Sequence, residues 1–232
     1  MKKNISKIAL PLLILIGIVS CSKEDTNIAQ QVTARPSLPI TAINVQIGTQ
    51  KWMIKNLDVS RYRNGDPIPQ VQNPTAWAAL TTGAWCYYEN NTANGAVYGK
   101  LYNWYAVNDP RGLAPRGYHV PTDTEWSTLI NFLDPNANEG NNVAGDKMKA
   151  TTGWAFYSGI TNTNSSGFTG LPGGYRYKDG PFFNNVYFGH WWSSSEYNPD
   201  YAWYRVLGFN GSGAYKYALF KKAGYSVRCL RD

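Results

Sequence analysis

The spacing of apolar residues predicts one clear helix near the middle of the chain. From Trp126 to Leu133, apolar side chains recur at i, i+3, i+4 and i+7 and form one stripe along a helix. Thr122 and Glu125 stand where the two side chains of a capping box bind the free backbone N–H groups of a helix start. An Asp-Pro pair follows Leu133 and ends the helix. The stripe must therefore lie against a sheet or another helix.

Alternation of apolar and polar residues predicts strands on both sides of this helix. Residues 43–47 alternate between apolar and polar side chains, and a Gly-Thr pair after them suits a two-residue turn. Residues 50–53 then provide the second strand, so the sequence predicts a hairpin. Residues 84–88 predict another strand, and the last third of the chain, residues 175–232, predicts several short aromatic strands. The chain should therefore contain sheets built from short strands.

Three other segments combine helix and turn signals. An Asn-Pro pair at 73–74 provides a cap and a first helical residue for a short helix, and residues 143–149 predict another one. Residues 89–95, ENNTANG, predict an exposed polar loop. Their oxygens could hold a calcium ion, but one carboxylate among asparagines is a thin ligand set, so a solvated loop is the better interpretation.

The first residues of the chain predict secretion and a lipid anchor. Residues 1–20 have a basic start, an apolar run and small residues, which is the pattern of a secretory signal peptide. Ile18 to Cys21 resembles a bacterial lipobox, which implies cleavage before Cys21 and lipid attachment to its thiol. The alternative is ordinary signal cleavage next to an incidental cysteine.

The polar segment after Cys21 predicts a tether. Residues 21–40 lack strand or helix periodicity and contain Pro36 and Pro39, which indicates a flexible linker ahead of one domain at 41–232. The four residues Ser22 to Asp25 resemble the export signal of surface lipoproteins in the Bacteroidota. We therefore expect an outer-membrane lipoprotein that faces the cell exterior and reaches its membrane through the lipid.

Charge and composition narrow the classes of partner. Removal of residues 1–20 takes away three lysines and no acid, so the net charge falls from +7 to +4. No basic run stands out beyond Lys221-Lys222, so we expect no nucleic-acid binding. Aromatic residues make up 15% of the chain and charged residues only 16%, which favours short strands and many turns over a helix-rich fold.

Two cysteines remain once Cys21 carries the lipid. Cys86 and Cys229 lie far apart in sequence. In an oxidising compartment outside the cytoplasm, two cysteines are most simply a disulfide pair. Two buried free thiols are the alternative, because spacing alone does not show that the Cα atoms come within bridging distance.

Several sequence blocks together resemble one family. The blocks follow one another in order over nearly everything after the tether: residues 47–69, 81–91, 98–129, 167–176, 191–196 and 224–232. As a set they are similar to the Fibrobacter succinogenes major paralogous domain. The resemblance implies an α+β, C-type-lectin-like domain with short twisted antiparallel strands and two helices, distantly related to formylglycine-generating enzymes. The family itself has no settled activity.

No set of residues predicts catalysis, a metal or a cofactor. The related enzymes hold copper with a nearby pair of thiols, whereas Cys229 here lies in a terminal strand that resembles their structural closing strand. His119 and His190 are the only histidines and stand in no zinc-binding motif. We interpret His119 as a hydrogen-bonded structural residue and Asp123 and Glu125 as helix-start residues. The sequence therefore favours a non-enzymatic role, and the alternative is a degenerate relative of an oxidase or an uncharacterised hydrolase.

The segment from His190 to Arg205 is the predicted ligand-binding site. Consecutive strand residues point to opposite faces, so Trp191 and Trp192 cannot both be core residues unless the strand is covered on both sides. We therefore expect one outward ring that stacks on a sugar, with polar side chains beside it. The alternative is that these aromatics fill the core. The candidate residues are Trp191, Trp192, Glu196, Tyr197, Asn198, Tyr201, Trp203 and Tyr204.

These observations lead to one functional expectation and one alternative. We expect a surface lipoprotein whose domain recognises a polysaccharide or a surface protein without catalysis, as in adhesion or surface assembly. The alternative is a structural or accessory subunit of an outer-membrane assembly that binds no small ligand.

Overall fold

The computed structural model describes residues 44–138 and 141–232. The predicted signal peptide, the tether and Cys21 lie outside the described residues. The helices are α1 (Pro74–Ala78), α2 (Thr92–Tyr98), α3 (Trp104–Val107), α4 (Asp123–Leu133) and α5 (Ala144–Met148), with a 3-10 turn at Tyr88–Asn90. The strands are β1 (Asn44–Ile47), β2 (Gln50–Met53), β3 (Trp85–Cys86), β4 (Leu101–Tyr102), β5 (Tyr118–His119), β6 (Gly173–Arg176), β7 (Phe182–Asn185), β8 (Phe188–Glu196), β9 (Tyr201–Gly208), β10 (Ala214–Phe220) and β11 (Leu230–Arg231). The fold is therefore α+β.

Helix α4 confirms the predicted central helix and its cap. The Thr122 hydroxyl accepts a hydrogen bond from the Glu125 backbone N–H, and the Glu125 carboxylate accepts one from the Thr122 N–H at 2.8 Å. The predicted stripe from Trp126 to Leu133 is buried. The shorter predicted helices also form, as α1 with Asn73 as its cap and as α5.

The predicted hairpin forms as β1 and β2, and it joins the first of three sheets. Gly48 has a φ of +59°, which the first turn position of a type II′ hairpin requires. The order of this sheet is β1-β2-β11-β5, so the last strand of the chain lies between the hairpin and β5. A second sheet, of two strands, pairs β3 with β4.

The third sheet has the order β10-β9-β8-β6-β7 and holds the predicted binding segment. Most of its neighbours are antiparallel, but β6 and β8 are parallel, with Gly174 opposite Gly189. The expectation of antiparallel strands is therefore wrong at this one pairing. A parallel pair needs a crossover, and here the β7 strand and its turns make the connection.

The helix count differs from the expectation of two, because five α-helices occupy the described residues. The predicted loop at 89–95 is wrong, since most of it lies in α2. The Asn91 side chain caps this helix by accepting a hydrogen bond from Ala93 N–H at 2.9 Å. Without an apolar stripe, the segment gives no periodic signal, and only its cap marks the helix.

The core consists of separate clusters on the two sides of β8. The tryptophan core contains Trp52, Trp126, Phe168 and Trp191, with ring centroids 4.7 to 5.9 Å apart. The tyrosine core, on the other side, contains Tyr102, Trp192, Tyr225 and Cys229. A smaller third cluster contains Trp77, Cys86, Tyr88 and Leu101.

Two fully buried arginines connect these clusters through backbone carbonyls. Arg228 donates to the Met53 carbonyl and to Asn56 Oδ1, and Arg176 donates to the carbonyls of Val71 and Gln72. Burial lowers the pKa of Arg228 to about 9. These side chains satisfy loop carbonyls that would otherwise be buried without a donor, so they serve the fold. No helix in the described part of the chain is both long enough and apolar enough to cross a bilayer.

Candidate functional site

Both tryptophans of the predicted site are buried, so the expectation of one outward ring is wrong. Trp191 belongs to the tryptophan core and donates from its indole N–H to Asn56 Oδ1 at 2.8 Å. Trp192 belongs to the tyrosine core and donates to the Tyr102 carbonyl at 2.8 Å. The two rings do point to opposite faces of β8, but the protein covers both faces at this position.

The remaining predicted residues do not form one site. Glu196 pairs with Lys221 at 3.2 Å, and the Asn198 side chain accepts hydrogen bonds from the backbone of its own turn. Tyr197 is 54% exposed and contacts the Trp203 ring edge to face at 4.6 Å. Tyr201 packs on Phe220 at 4.6 Å instead.

Tyr204 is the one predicted residue that lies in a larger aromatic arrangement. One ring from each strand of the five-stranded sheet forms a continuous line across the strands, which we name the aromatic row: Tyr217, Tyr204, His190, Tyr175 and Phe183. The centroid distances between neighbours are 6.1, 5.8, 4.9 and 5.7 Å. The end members are exposed, Tyr217 by 53% and Phe183 by 44%. Tyr204 and Tyr175 are half-buried, and His190 is buried.

Strand register explains why these rings share one face. Tyr217 pairs with Tyr204 across β10 and β9, Tyr204 pairs with Trp192, and Tyr175 pairs with Phe183 across β6 and β7. Residues two apart on a strand share a face, so His190 lies on the Trp192 side of β8. Cross-strand neighbours on one face are close enough for their rings to touch.

Two glycines allow the backbone to approach other segments closely in the middle of the row. A Cβ at Gly174 would lie 2.5 Å from the Phe183 carbonyl oxygen, and one at Gly189 would lie 2.6 Å from the Leu171 carbonyl oxygen. Each glycine directly precedes a row member, Tyr175 or His190. Close backbone approach is a recognised reason for glycine inside a strand. The Gly-Tyr and Gly-His pairs were therefore the available sequence signal, although it gives no register.

The row carries no charge at neutral pH in its centre. Burial lowers the pKa of His190 to about 3. A backbone hydrogen bond with Gly174 acts in the opposite direction but has the smaller effect on this pKa. The imidazole stacks on Tyr225 at 5.1 Å, and its buried Nδ1 has no hydrogen-bond partner among the described residues. Burial raises the pKa of Tyr204 to about 12 and raises that of Tyr175. The row is thus neutral at its centre and offers phenol hydroxyls.

The opposite face of the same strands carries the charges. Arg205 pairs with Lys216 in register across β9 and β10, on the face away from the row. Arg205 donates to Asp123 of α4 and to the Ser127 hydroxyl at 3.1 Å. Lys216 Nζ lies 3.6 Å from Asp123 and 4.7 Å from the centroid of the Trp203 ring. This network holds α4 on the sheet, so Arg205 serves the fold as a hydrogen-bond donor.

His119 is a hydrogen-bonded structural residue, as predicted. Its Nδ1 lies 2.8 Å from Asp232 Oδ1, and its Nε2 lies 2.9 Å from Glu125 Oε1. Burial acts to lower its pKa, but the bonds to Asp232 and Glu125 raise the pKa overall. The ring therefore ties β5 to the start of α4 and to the residue after β11.

The predicted disulfide is not formed. Cys86 and Cys229 are both free and buried, and they lie in different core clusters. Burial raises the pKa of each thiol to about 12. Both cysteines therefore act as small apolar core residues. Among the described residues, no group of three or more His, Cys, Asp or Glu side chains is placed to hold a metal ion.

Comparison with known proteins identifies a family and nothing further. The model of the Fibrobacter succinogenes major domain matches residues 45–231, which include every strand of the aromatic row. No curated protein and no solved structure matches the chain. The sequence resemblance is therefore confirmed over nearly the whole described region, and the chain belongs to the Fibrobacter succinogenes major domain family.

Proposed function

We propose that this domain is a non-catalytic recognition module that binds a glycan at the aromatic row. The observation that carries the proposal is the line of five rings, one from each strand, with exposed ends. Aromatic faces stack on the apolar faces of sugar rings, and phenol hydroxyls can donate to and accept from sugar hydroxyls. This site replaces the predicted Trp191-Trp192 platform.

The chemistry around the acidic side chains supports a non-catalytic role. Asp123 pairs with Arg205, Glu125 binds the start of α4 and His119, and Glu196 pairs with Lys221, so each of these carboxylates already has a partner. A general acid or base needs access to the substrate atom on which it acts. The proposal also includes a C-type-lectin-like arrangement, which is compatible with the observed α+β fold of short strands.

The proposal places the domain on the cell surface through a lipid on Cys21. The support is the signal layout of residues 1–20 and the polar segment 21–40, which is long enough to separate the domain from a membrane. Several acyl chains anchor a protein stably, whereas one does not. Replacement of Cys21 by Ala should release the protein from membranes or stall its precursor, and unchanged membrane fractionation would contradict the lipid anchor.

A second role, as an accessory subunit that contacts another protein, is favoured by a different surface. Phe156 is 90% exposed, and Tyr157 and Tyr187 pack against Phe209 at 5.6 and 5.1 Å. Exposed apolar patches of this kind are typical of protein contacts. This patch lies on loops outside the row, so the two roles involve different residues.

A glycan array with the mature chain tests the proposal against this alternative. We expect binding to at least one glycan class, and we expect Tyr217→Ala to reduce it while Phe156→Ser does not. The accessory role predicts no glycan binding and loss of co-purifying outer-membrane proteins in Phe156→Ser. Tyr217 and Phe156 are both exposed, so neither change should unfold the domain.

A further inference from the structure

We propose that the ligand of the aromatic row is a neutral, extended glycan chain that runs across the strands and occupies about four or five sugars. This inference rests on the proposed function and specifies the ligand class, its direction and its length. It follows from the geometry of the row, from the charges of the surrounding side chains and from the positions of the two exposed ends.

The direction follows from the line of the rings. The row members come one from each of β10, β9, β8, β6 and β7, so the line crosses the strands instead of following one of them. Successive rings lie 4.9 to 6.1 Å apart, without a gap. A ligand that contacts both exposed ends, Tyr217 and Phe183, must therefore cross the whole sheet.

The length follows from the spacing of strands. Neighbouring strands lie about 4.8 Å apart, so five strands place the end rings on the order of 20 Å apart. A pyranose ring with its glycosidic oxygen extends over about the same distance as one strand spacing along an extended chain. A chain of about four or five sugars is therefore the shortest that reaches from Tyr217 to Phe183. A disaccharide can contact only part of the row.

The ligand class follows from the separation of charge between the two faces. Alternation along β9 and β10 sends Arg205 and Lys216 to the helix side and Tyr204 and Tyr217 to the row side. The row itself contains three phenols, one phenyl ring and a buried imidazole. A uronate or sulfated sugar bound here would lose water around its charge without gaining a cation from any row member, which costs free energy. A neutral sugar loses no such charge solvation.

The centre of the row limits how the chain can bind. His190 is 5% exposed, and Tyr204 and Tyr175 on either side of it are partly buried against the tyrosine core. The exposed end rings therefore supply most of the stacking surface, Tyr204 and Tyr175 supply less, and His190, which stacks on the buried Tyr225, supports the neighbouring rings from within the core. Each of the two ends should contribute separately to affinity, because Tyr217 and Phe183 lie on opposite edge strands.

Calorimetry with a length series provides the test. The probes are neutral β-1,4-linked gluco-, xylo- and manno-oligosaccharides of two to six sugars, and oligogalacturonates of matched length, with the mature chain. We expect affinity for at least one neutral series to rise with each added sugar up to about four or five and then to level off. We expect the matched oligogalacturonate to bind at least tenfold more weakly, with little effect of salt on neutral binding.

Variants at the two ends provide the second arm. Tyr217→Ala and Phe183→Ala should each weaken hexasaccharide binding by about tenfold, the effect of losing one aromatic stacking partner, and should affect the disaccharide less. Tyr197→Ala is the matched control, because Tyr197 is 54% exposed and lies outside the row. Its hexasaccharide affinity should change less than twofold. Circular dichroism verifies that all three variants are folded.

The outcomes separate this inference from the proposed function. Glycan binding that is lost in Tyr217→Ala but is equally strong for two and six sugars, or stronger for oligogalacturonate, overturns the extended neutral chain and leaves recognition at the row intact. Binding that Phe183→Ala does not affect also overturns the crossing direction. Absence of binding to every glycan on the array overturns both.

Discussion

The two faces of the five-stranded sheet use the same strands for different purposes. On one face, Trp191 and Arg205 pack beneath α4, where the indole is fully buried and the guanidinium pairs with Asp123. On the other face, Tyr204 and Tyr217 continue from the tyrosine core into an aromatic row that ends at exposed rings. Alternation along a strand lets one face pack wholly under a helix while the other is buried in the middle and meets solvent at its edge strands.

The difference between the faces shows that aromatic content alone does not identify a binding surface. Trp191 and Trp192 are the most prominent aromatic pair in the sequence, yet both serve the core. The row is built mainly from tyrosines, whose hydroxyls tolerate contact with water. Mutations on the helix face should therefore change stability, and mutations at the exposed ends of the row should change binding.

The largest loss of stability is expected on the helix face, the face of the five-stranded sheet that α4 covers. Trp191→Ala should lower the free energy of unfolding by about 3 to 5 kcal/mol, because it leaves a cavity among Trp52, Phe168 and neighbouring side chains. Chemical denaturation measures this loss. A stability change below about 1 kcal/mol would show that Trp191 is not a core residue and would remove the contrast between the faces.

A pH-dependent loss of stability is expected from His190. Its pKa in the folded protein is about 3, below the ordinary value of 6.5, so folding favours the neutral ring. The contribution of this residue is complete above pH 6.5 and is lost as the pH falls toward 3, with a total on the order of 5 kcal/mol.

The measurement for His190 compares the wild type with His190→Phe by denaturation between pH 7 and pH 4. Subtraction of the two curves removes the titration of carboxylates and of His119, whose raised pKa acts in the opposite direction and stabilises at low pH. We expect the wild type to lose more stability on acidification than the variant. Parallel curves would contradict burial of the His190 ring.

A smaller loss of stability is expected from the charged residues on the helix face. Asp123→Ala removes the carboxylate that pairs with the buried Arg205 guanidinium, whose side chain is 3% exposed. Because Asp123 is itself partly exposed and Ser127 still binds Arg205, the cost should be about 2 to 3 kcal/mol, below the full value for a buried pair. Denaturation of Asp123→Ala and of the control Asp179→Ala, whose carboxylate is exposed, measures it.

The smallest stability effect is expected on the row face. Tyr217→Ala should change the free energy of unfolding by less than about 0.5 kcal/mol, since the side chain is half exposed at the sheet edge. Thermal and chemical denaturation measure the stability of this variant, and glycan binding is measured on the same protein. Together they show whether the row face affects binding more than stability. A loss of several kcal/mol would assign Tyr217 to the core and would shorten the row.

Local signals in the sequence determined the elements whose contacts lie close in the chain. The capping box of Thr122 and Glu125, the stripe of α4 and the glycine turn of the first hairpin depend on residues a few positions apart. The family resemblance depended on ordered blocks, and it was confirmed over residues 45–231. Helix α2 was not predicted, because this short polar helix has a capping residue but no stripe of apolar side chains.

Only the tertiary structure decided which aromatic residues could meet a ligand. The alternation of Trp191 and Trp192 is fixed by the geometry of a strand, but burial of both required cover from α4 on one side and from Tyr102 and Tyr225 on the other. The free state of Cys86 and Cys229 likewise depends on distances between remote segments. The aromatic row needs the register of five strands and a parallel pairing at Gly174 and Gly189, and no local pattern encodes these, because they arise from contacts between residues far apart in sequence.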